Sequence, residues 1–214
     1  VMGVTQAAGL SLKWFRDNLA ECYKAEAEKQ GVDSYDLINQ DVENVPIGSR
    51  RLLYLPYLMG ERTPHLNPNC RGVFFGLSAI HTKADMLRAV MEGVSYSLSD
   101  CLDVLREMQV DVSEMMACGG GGKSKIWRQM LADMYGCEVK TIKAQEGPAL
   151  GVAILAGVGA GIFTDVQSAC RQFIAQETYC QPEPAHKAYY EKGHALYKKL
   201  YAQLKDCYEE LAQL

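Results

Sequence analysis

Nothing in this sequence is apolar for long enough to cross a bilayer as a helix, and no C-x-x-C pair occurs among its eight cysteines. Nor does any strongly basic stretch offset its net charge of -4. Each shortage excludes something. With that charge balance there is no long-range attraction for nucleic acid or an anionic membrane, so neither is expected as a partner. Cys22, Cys70, Cys101, Cys118, Cys137, Cys170, Cys180 and Cys207 are scattered along the chain. Free thiols in a reducing compartment fit that scatter better than a secreted disulfide framework, and the opening residues carry no signal-peptide pattern, so the cytoplasm is the expected location. His81, His186 and His194 have no ligand companions at metal-binding spacing, and no zinc site is expected. The chain opens on Val1 and patterns as helix within a few residues, which reads as the start of a piece of a longer protein.

What is present is ordinary in bulk: 214 residues, 48% hydrophobic and 22% charged, enough for one large domain or two small ones. Residues 7–29 pattern as a helix closed by Gly31, with Leu10, Trp14, Leu19 and Tyr23 at roughly helical spacing. Residues 32–49 are polar and mixed and read as a connection. Short strands are expected over 52–58 and 73–77, separated by a structured loop from Gly60 to Gly72. Residues 82–108 give the clearest helix, with a capping-box-like Thr82 and Asp85. A strand over 115–118, the glycine run, a helix over 124–135, a strand over 137–142 and a small-residue helix from Glu146 to about Gly159 follow. Pro182 and Pro184 precede a last helix over 185–211. This alternation predicts an α/β domain with a largely parallel sheet. About four strands are legible, fewer than the usual ~5–6, so the sheet reads as incomplete.

The segment with most chemistry is Cys118-Gly119-Gly120-Gly121-Gly122-Lys123-Ser124. Glycines between a strand and a helix let backbone approach a phosphate or a flat ring, with helix-start N–H groups aimed at negative charge. A flexible turn is the plainer alternative. A P-loop is excluded, because that motif needs a glycine where Ala117 stands.

Gly119 to Gly121, Ser124, Trp127, Arg128, Gln129, Ala132 and Asp133 together resemble the adenosine segment of the FGGY carbohydrate kinases. Gly72 to Leu77, followed by Asp85, Met86, Ala89, Val90, Met91 and Glu92, is similar to a second signature of that family. Ala8 to Trp14 and Glu146 to Ala153 resemble two further segments, so the likeness covers nearly the whole chain. It implies an actin-like ATPase fold, RNase-H-like, of two domains around a cleft. Residues 1–214 would be the C-terminal nucleotide-binding domain, incomplete at its N-terminal strands. The cofactors implied are ATP and Mg²⁺. The partners implied are ATP or ADP, and a pentulose sugar held through an N-terminal domain. A homodimer is left open.

Carried over by position, the resemblance puts the Gly120 backbone against the adenosine, with Gly119 and Gly121 nucleotide-binding beside it and Ser124 as a polar contact. Gly9 and Lys13 would form the opposite wall, although a glutamine is familiar where Lys13 stands. Lys123 either reaches a phosphate or is a solvated loop charge. Gly60-Glu61-Arg62-Thr63-Pro64-His65, with Asn67-Pro68 and Arg71-Gly72, is similar to the form found in xylulose kinases. Gluconate, ribulose and glycerol remain alternative substrates. His65 is read as ordering its loop through hydrogen bonds rather than as a base.

Phosphoryl transfer to a sugar needs a carboxylate base, which the resemblance places in a Gly-Asp turn upstream of Val1. No Gly-Asp pair occurs here, and Asp100, Asp103 and Asp133 read as surface or capping charges. The isolated chain is therefore expected to be inactive. A non-catalytic regulatory or assembly protein on the same fold is the rival reading.

Overall fold

A computed structural model describes residues 2–142 and 147–214. Val1 and Glu146, on which two of the expectations above fall, lie outside the described residues. Helices α1 (Ala8–Leu19) and α2 (Cys22–Gln30) replace the single helix expected over 7–29. The break is at buried Ala20, whose φ of -138° leaves the helical region and lets the chain turn Tyr23 and Ala27 inward. Gly31 closes α2 in the left-handed region, where the lack of a Cβ is needed. Helix α3 (Ser34–Glu43) occupies what read as a connection. Asp33 caps it by accepting the Tyr35 amide hydrogen, and Ser34, Ile38 and Val42 recur every four residues on its buried face.

Strands β1 (Leu53–Leu55) and β2 (Val73–Phe75) pair antiparallel, Tyr54 opposite Phe74. Between them the loop from Gly60 to Gly72 turns the chain back, closed by a bridge between Glu61 and Asn67. Helix α4 (Lys83–Glu107) starts at the expected capping box, Thr82 and Asp85 each satisfying the other's backbone. Then come β3 (Glu114–Met116), a short helical turn α5 (Gly119–Lys123), α6 (Lys125–Tyr135), β4 (Glu138–Ile142) and α7 (Gly147–Gly159). Helix α8 (Val166–Phe173) and strand β5 (Gln176–Cys180) are both short and lay in a stretch without a sequence assignment. Helix α9 (Pro184–Leu211) opens with Pro184 in its first turn, where a missing N–H costs nothing.

The expected largely parallel sheet is not what forms. Among the described residues β3 and β4 are the one parallel pair, and β5 returns antiparallel on the other side of β4. The physical reason is that two return connections, the loop after β1 and the α8 segment before β5, reverse the chain instead of crossing over it.

Helix α4 is the axis of the molecule. Its Leu87, Val90, Met91 and Val94 join Phe15, Ile38, Tyr54 and Trp127 in one core. Tyr96 points into a second core with Tyr57, Tyr190 and Tyr197, and Leu102 into a third under β4. Apolar side chains stay exposed at Phe75, Leu77 and Ile80 past β2, and at Val152, Leu155 and Ile162 around α7.

Gly93 is where α4 crosses β1: a Cβ there would lie 2.1 Å from the Tyr54 carbonyl oxygen. Alanine would gain roughly 1 kcal/mol of helix propensity, but the backbone cannot step aside cheaply. Gly93→Ala is expected to lower stability by about 1–3 kcal/mol in urea unfolding, the range for overpacked cores. A stabilised variant would contradict the close α4–β1 contact. At the start of α4, burial favours the neutral form of Asp85, yet hydrogen bonds from Thr82 and the Arg50 guanidinium outweigh it and hold the carboxyl below its usual value. A carboxyl lowered in this way contributes stability above the unfolded pKa of about 3.9, and loses it as pH falls through the folded value. Asp85→Asn is expected to cost about 0.5–2 kcal/mol at neutral pH, with the deficit shrinking in unfolding curves taken below about pH 4.

Candidate nucleotide site

The sequence dictates a sharp event after β3. Gly119 takes a φ of 74°, which favours glycine, and turns the chain away from the strand. The glycines do not then form an open loop; they wind the single turn α5. Gly122 is buried against Ala117, where a Cβ would meet the carbonyl oxygen at 2.9 Å. The last carbonyls of the turn are held from below by buried Arg128, whose guanidinium donates to Gly122 at 2.6 Å and to Lys123 at 3.1 Å. Ser124 then caps α6, its hydroxyl oxygen accepting the Trp127 amide hydrogen at 3.2 Å while donating to Asn39 Oδ1 at 2.8 Å.

Across from this turn lies the first turn of α1. Ala8 and Gly9 face Gly120, Gly121 and Gly122 over a cavity of about 360 Å³. Its other walls are apolar, from Val94, Leu98, Met115, Met116, Trp127 and Leu131 among others. Trp127 is held in place by its indole N–H, which donates to Ser95 Oγ at 3.0 Å. A Cβ added at Gly9 or at Gly120 would meet nothing within 4 Å, so both present bare backbone to open space. The cavity can therefore take a flat, apolar-faced ring between two backbone surfaces.

The residues singled out from the sequence divide accordingly. Gly9, Gly120 and Gly121 line the cavity together, and Gly119 turns the chain at its rim. Lys13 and Lys123 are exposed and outside the lining, as is the buried Ser124, whose hydroxyl is engaged in the cap. The methionines of β3 and the apolar face of α4 were not singled out. The methionines directly precede the glycine run, and that adjacency could have found them; the α4 residues Val94 and Leu98 carry no local signal, because they reach the cavity from far off in sequence.

A second polar cluster lies on the other side of α4, and it corrects three expectations. Asp100 and Asp133 are not surface charges; both are buried, because α9 covers the polar side of α4 and α6. Asp133 accepts from Gln129 and from the Glu183 amide, and pairs with His186 at 2.8 Å. Asp100 pairs with His194 at 2.7 Å. His65 does not order its loop by hydrogen bonds: its Nε2 has no partner, and the ring stacks on Tyr201 at 3.4 Å. Burial holds the His65 imidazole below its usual value, against the pull of the Asp100 carboxylate. The loop is anchored instead by Glu61, whose carboxylate accepts the Gln6 and Arg62 amides and the Ser97 hydroxyl. Burial raises the Glu61 carboxyl despite those three donors.

The family model for the FGGY family of carbohydrate kinases, C-terminal domain, matches residues 1–160. The chain belongs to that family. It is 38% identical over 210 residues to the xylulose kinase of Staphylococcus epidermidis, covering 98% of this chain and 40% of that protein. The gluconokinase of Bacillus subtilis is 40% identical over 154 residues, covering 72% of this chain and 30% of that one. A solved structure of ligand-bound xylulose kinase from Lactobacillus acidophilus aligns with a TM-score of 0.83 at 30% identity, over 97% of this chain and 40% of that one. This FGGY chain thus spans about 40% of the length of the curated relatives it matches. Its α/β fold is the actin-like fold of the family. None of the helices is long and apolar enough to cross a membrane, among the described residues.

Because Arg128 holds the end of the glycine turn, Arg128→Leu should release two carbonyls and loosen α5. Amide exchange at residues 119–123 is expected to quicken, with a stability loss of about 1–3 kcal/mol. Unchanged exchange there would mean that the turn holds itself.

Proposed function

We propose that residues 1–214 form the C-terminal, nucleotide-holding part of a kinase that transfers the γ-phosphate of ATP to a sugar hydroxyl. The observation that carries this reading is the cavity in which Gly9 of α1 faces Gly120 and Gly121 across an apolar slot. Adenine suits such a slot: its faces pack on Trp127, Met115 and Leu98, while glycine backbone lets it approach without steric hindrance. Ser124 would contribute through α6, whose first turn it caps, and Lys123 and Lys13 from the exposed rim. No carboxylate lines the cavity, so the described residues there do not hold Mg²⁺, which would arrive with the phosphates. The same lack leaves no general base in the cavity, and the isolated chain is expected to bind adenine nucleotide and phosphorylate nothing.

D-Xylulose, giving D-xylulose 5-phosphate, is the favoured substrate. The Gly60–Gly72 loop and the 98% coverage by a xylulose kinase support it. The gluconokinase likeness, 40% identity over 72% of the chain, keeps gluconate as the second reading. Eight free thiols support a cytoplasmic location.

Calorimetric titration with ADP tests the nucleotide reading. Gly120 has no left-handed φ and open space at its Cβ, so Gly120→Arg should fold normally and fill the slot. The parent is expected to bind ADP and the variant to lose at least about tenfold in affinity, ~1.4 kcal/mol. Equal binding by both would remove ADP from this cavity.

A further inference from the structure

The helix α9 brings to α4 a donor set that sequence spacing does not reveal. His194 Nε2 lies 2.7 Å from Asp100 Oδ1, and His194 Nδ1 lies 3.9 Å from Asp103 Oδ2. One ligand atom from each of Asp100, Asp103 and His194 falls within 4.8 Å of the others. Donors around one ion at 2.0–2.2 Å sit no more than about 4.4 Å apart, so small side-chain rotations would close the set. The sequence gives the histidines no ligand companions by spacing, because those of His194 lie on another helix.

A second observation points to a missing ligand. Asp100 is only 3% exposed, yet its Oδ2 has no hydrogen-bond partner. It faces His65 Nε2, also unpartnered, at 3.9 Å, too far for a hydrogen bond. A buried carboxylate oxygen left unsatisfied is costly, and a cation is one way to satisfy it. Asp103 and His194 also line a cavity of about 390 Å³ beside Ser99 and Tyr96, which gives an ion a route from solvent.

We propose that Asp100, Asp103 and His194 bind a divalent first-row transition-metal ion that clamps α9 to α4. An imidazole with two carboxylates suits Zn²⁺, Co²⁺ or Mn²⁺, whereas Ca²⁺ and Mg²⁺ select all-oxygen sets. Lys198 and Arg106 both pair with Asp103, and Lys198, half exposed, can swing into solvent when the metal enters. The site lies across α4 from the glycine slot, so the ion would act on the placement of α9 and not on the nucleotide.

The test is titration of the chelator-stripped chain with Co²⁺, read by visible absorption. One equivalent is expected to bind with the spectrum of nitrogen and oxygen ligation. His194→Gln and Asp103→Asn should each weaken binding by at least about tenfold, the smallest loss seen even when only a partner of a ligand is removed. His186→Gln, on the same helix and paired with Asp133, should leave binding unchanged. Asp103 is partly exposed, so its variant decides the matter if the His194 variant fails to fold by circular dichroism. Absence of binding, a thiolate charge-transfer band that reports capture by cysteines, or affinity indifferent to the decisive variant would each overturn the proposal.

Discussion

Everything in this molecule depends on α4 being buried on more than one side. A helix so placed must present polar residues to protein, and each needs a partner. Arg88 and Glu92 meet that need as a pair at 2.9 Å. Arg88 also donates to the carbonyls of Val42 and Val45, and Glu92 accepts from the Gly48 amide, the Ser49 hydroxyl and Tyr190. One ion pair thus ties α3, the turn before β1, and α9 to the same two turns of α4. The worth of such a pair lies less in net energy than in what it forbids, because removing either partner would leave a buried charge alone.

From that axis the two candidate sites follow. The face of α4 carrying Val94 and Leu98 forms the floor of the glycine slot, and Ser95 fixes the wall residue Trp127. The opposite face carries Ser97 and Asp100 and meets the loop from Gly60 to Gly72 and helix α9. Glu61 and Asp100 are therefore neighbours of one polar seam although they stand far apart in sequence.

How much of this the sequence exposes depends on the range of the cause. Capping at Thr82, the stop at Gly136 and the Pro184 start are set by a few adjacent residues, and they are legible. Helix α3 is not, because only Ile38 and Val42 fill its buried face with large apolar groups while the rest is polar. Strand directions are hidden for a different reason. Nothing local records that Leu53 pairs with Phe75, or that β5 returns antiparallel to β4. The glycine slot is half legible: its glycines form a motif with Met115 and Met116 just ahead of it, but Val94 and Leu98 reach it only through the tertiary fold. Burial of Asp100 and Asp133 is not legible, since their partners on the covering helix α9, His194 and His186, lie 94 and 53 positions away, and such contacts are set by packing rather than spacing.

The helical form of the glycine run has a consequence for recognition. Glycine is a poor helix former, at roughly 1 kcal/mol per residue relative to alanine, so α5 would not persist by its own propensity. Two of its glycines are forced by sterics: Gly119 by its φ of 74°, Gly122 by the nearby Ala117 carbonyl. Gly120 is not, for a side chain there would meet only open space. Gly121 is nearly as free, its added Cβ reaching Trp127 at an ordinary 3.5 Å. The fold accounts for the outer pair and leaves the inner pair unexplained by folding alone. On the function proposed above, the inner pair is explained by an adenine ring lying against that bare backbone.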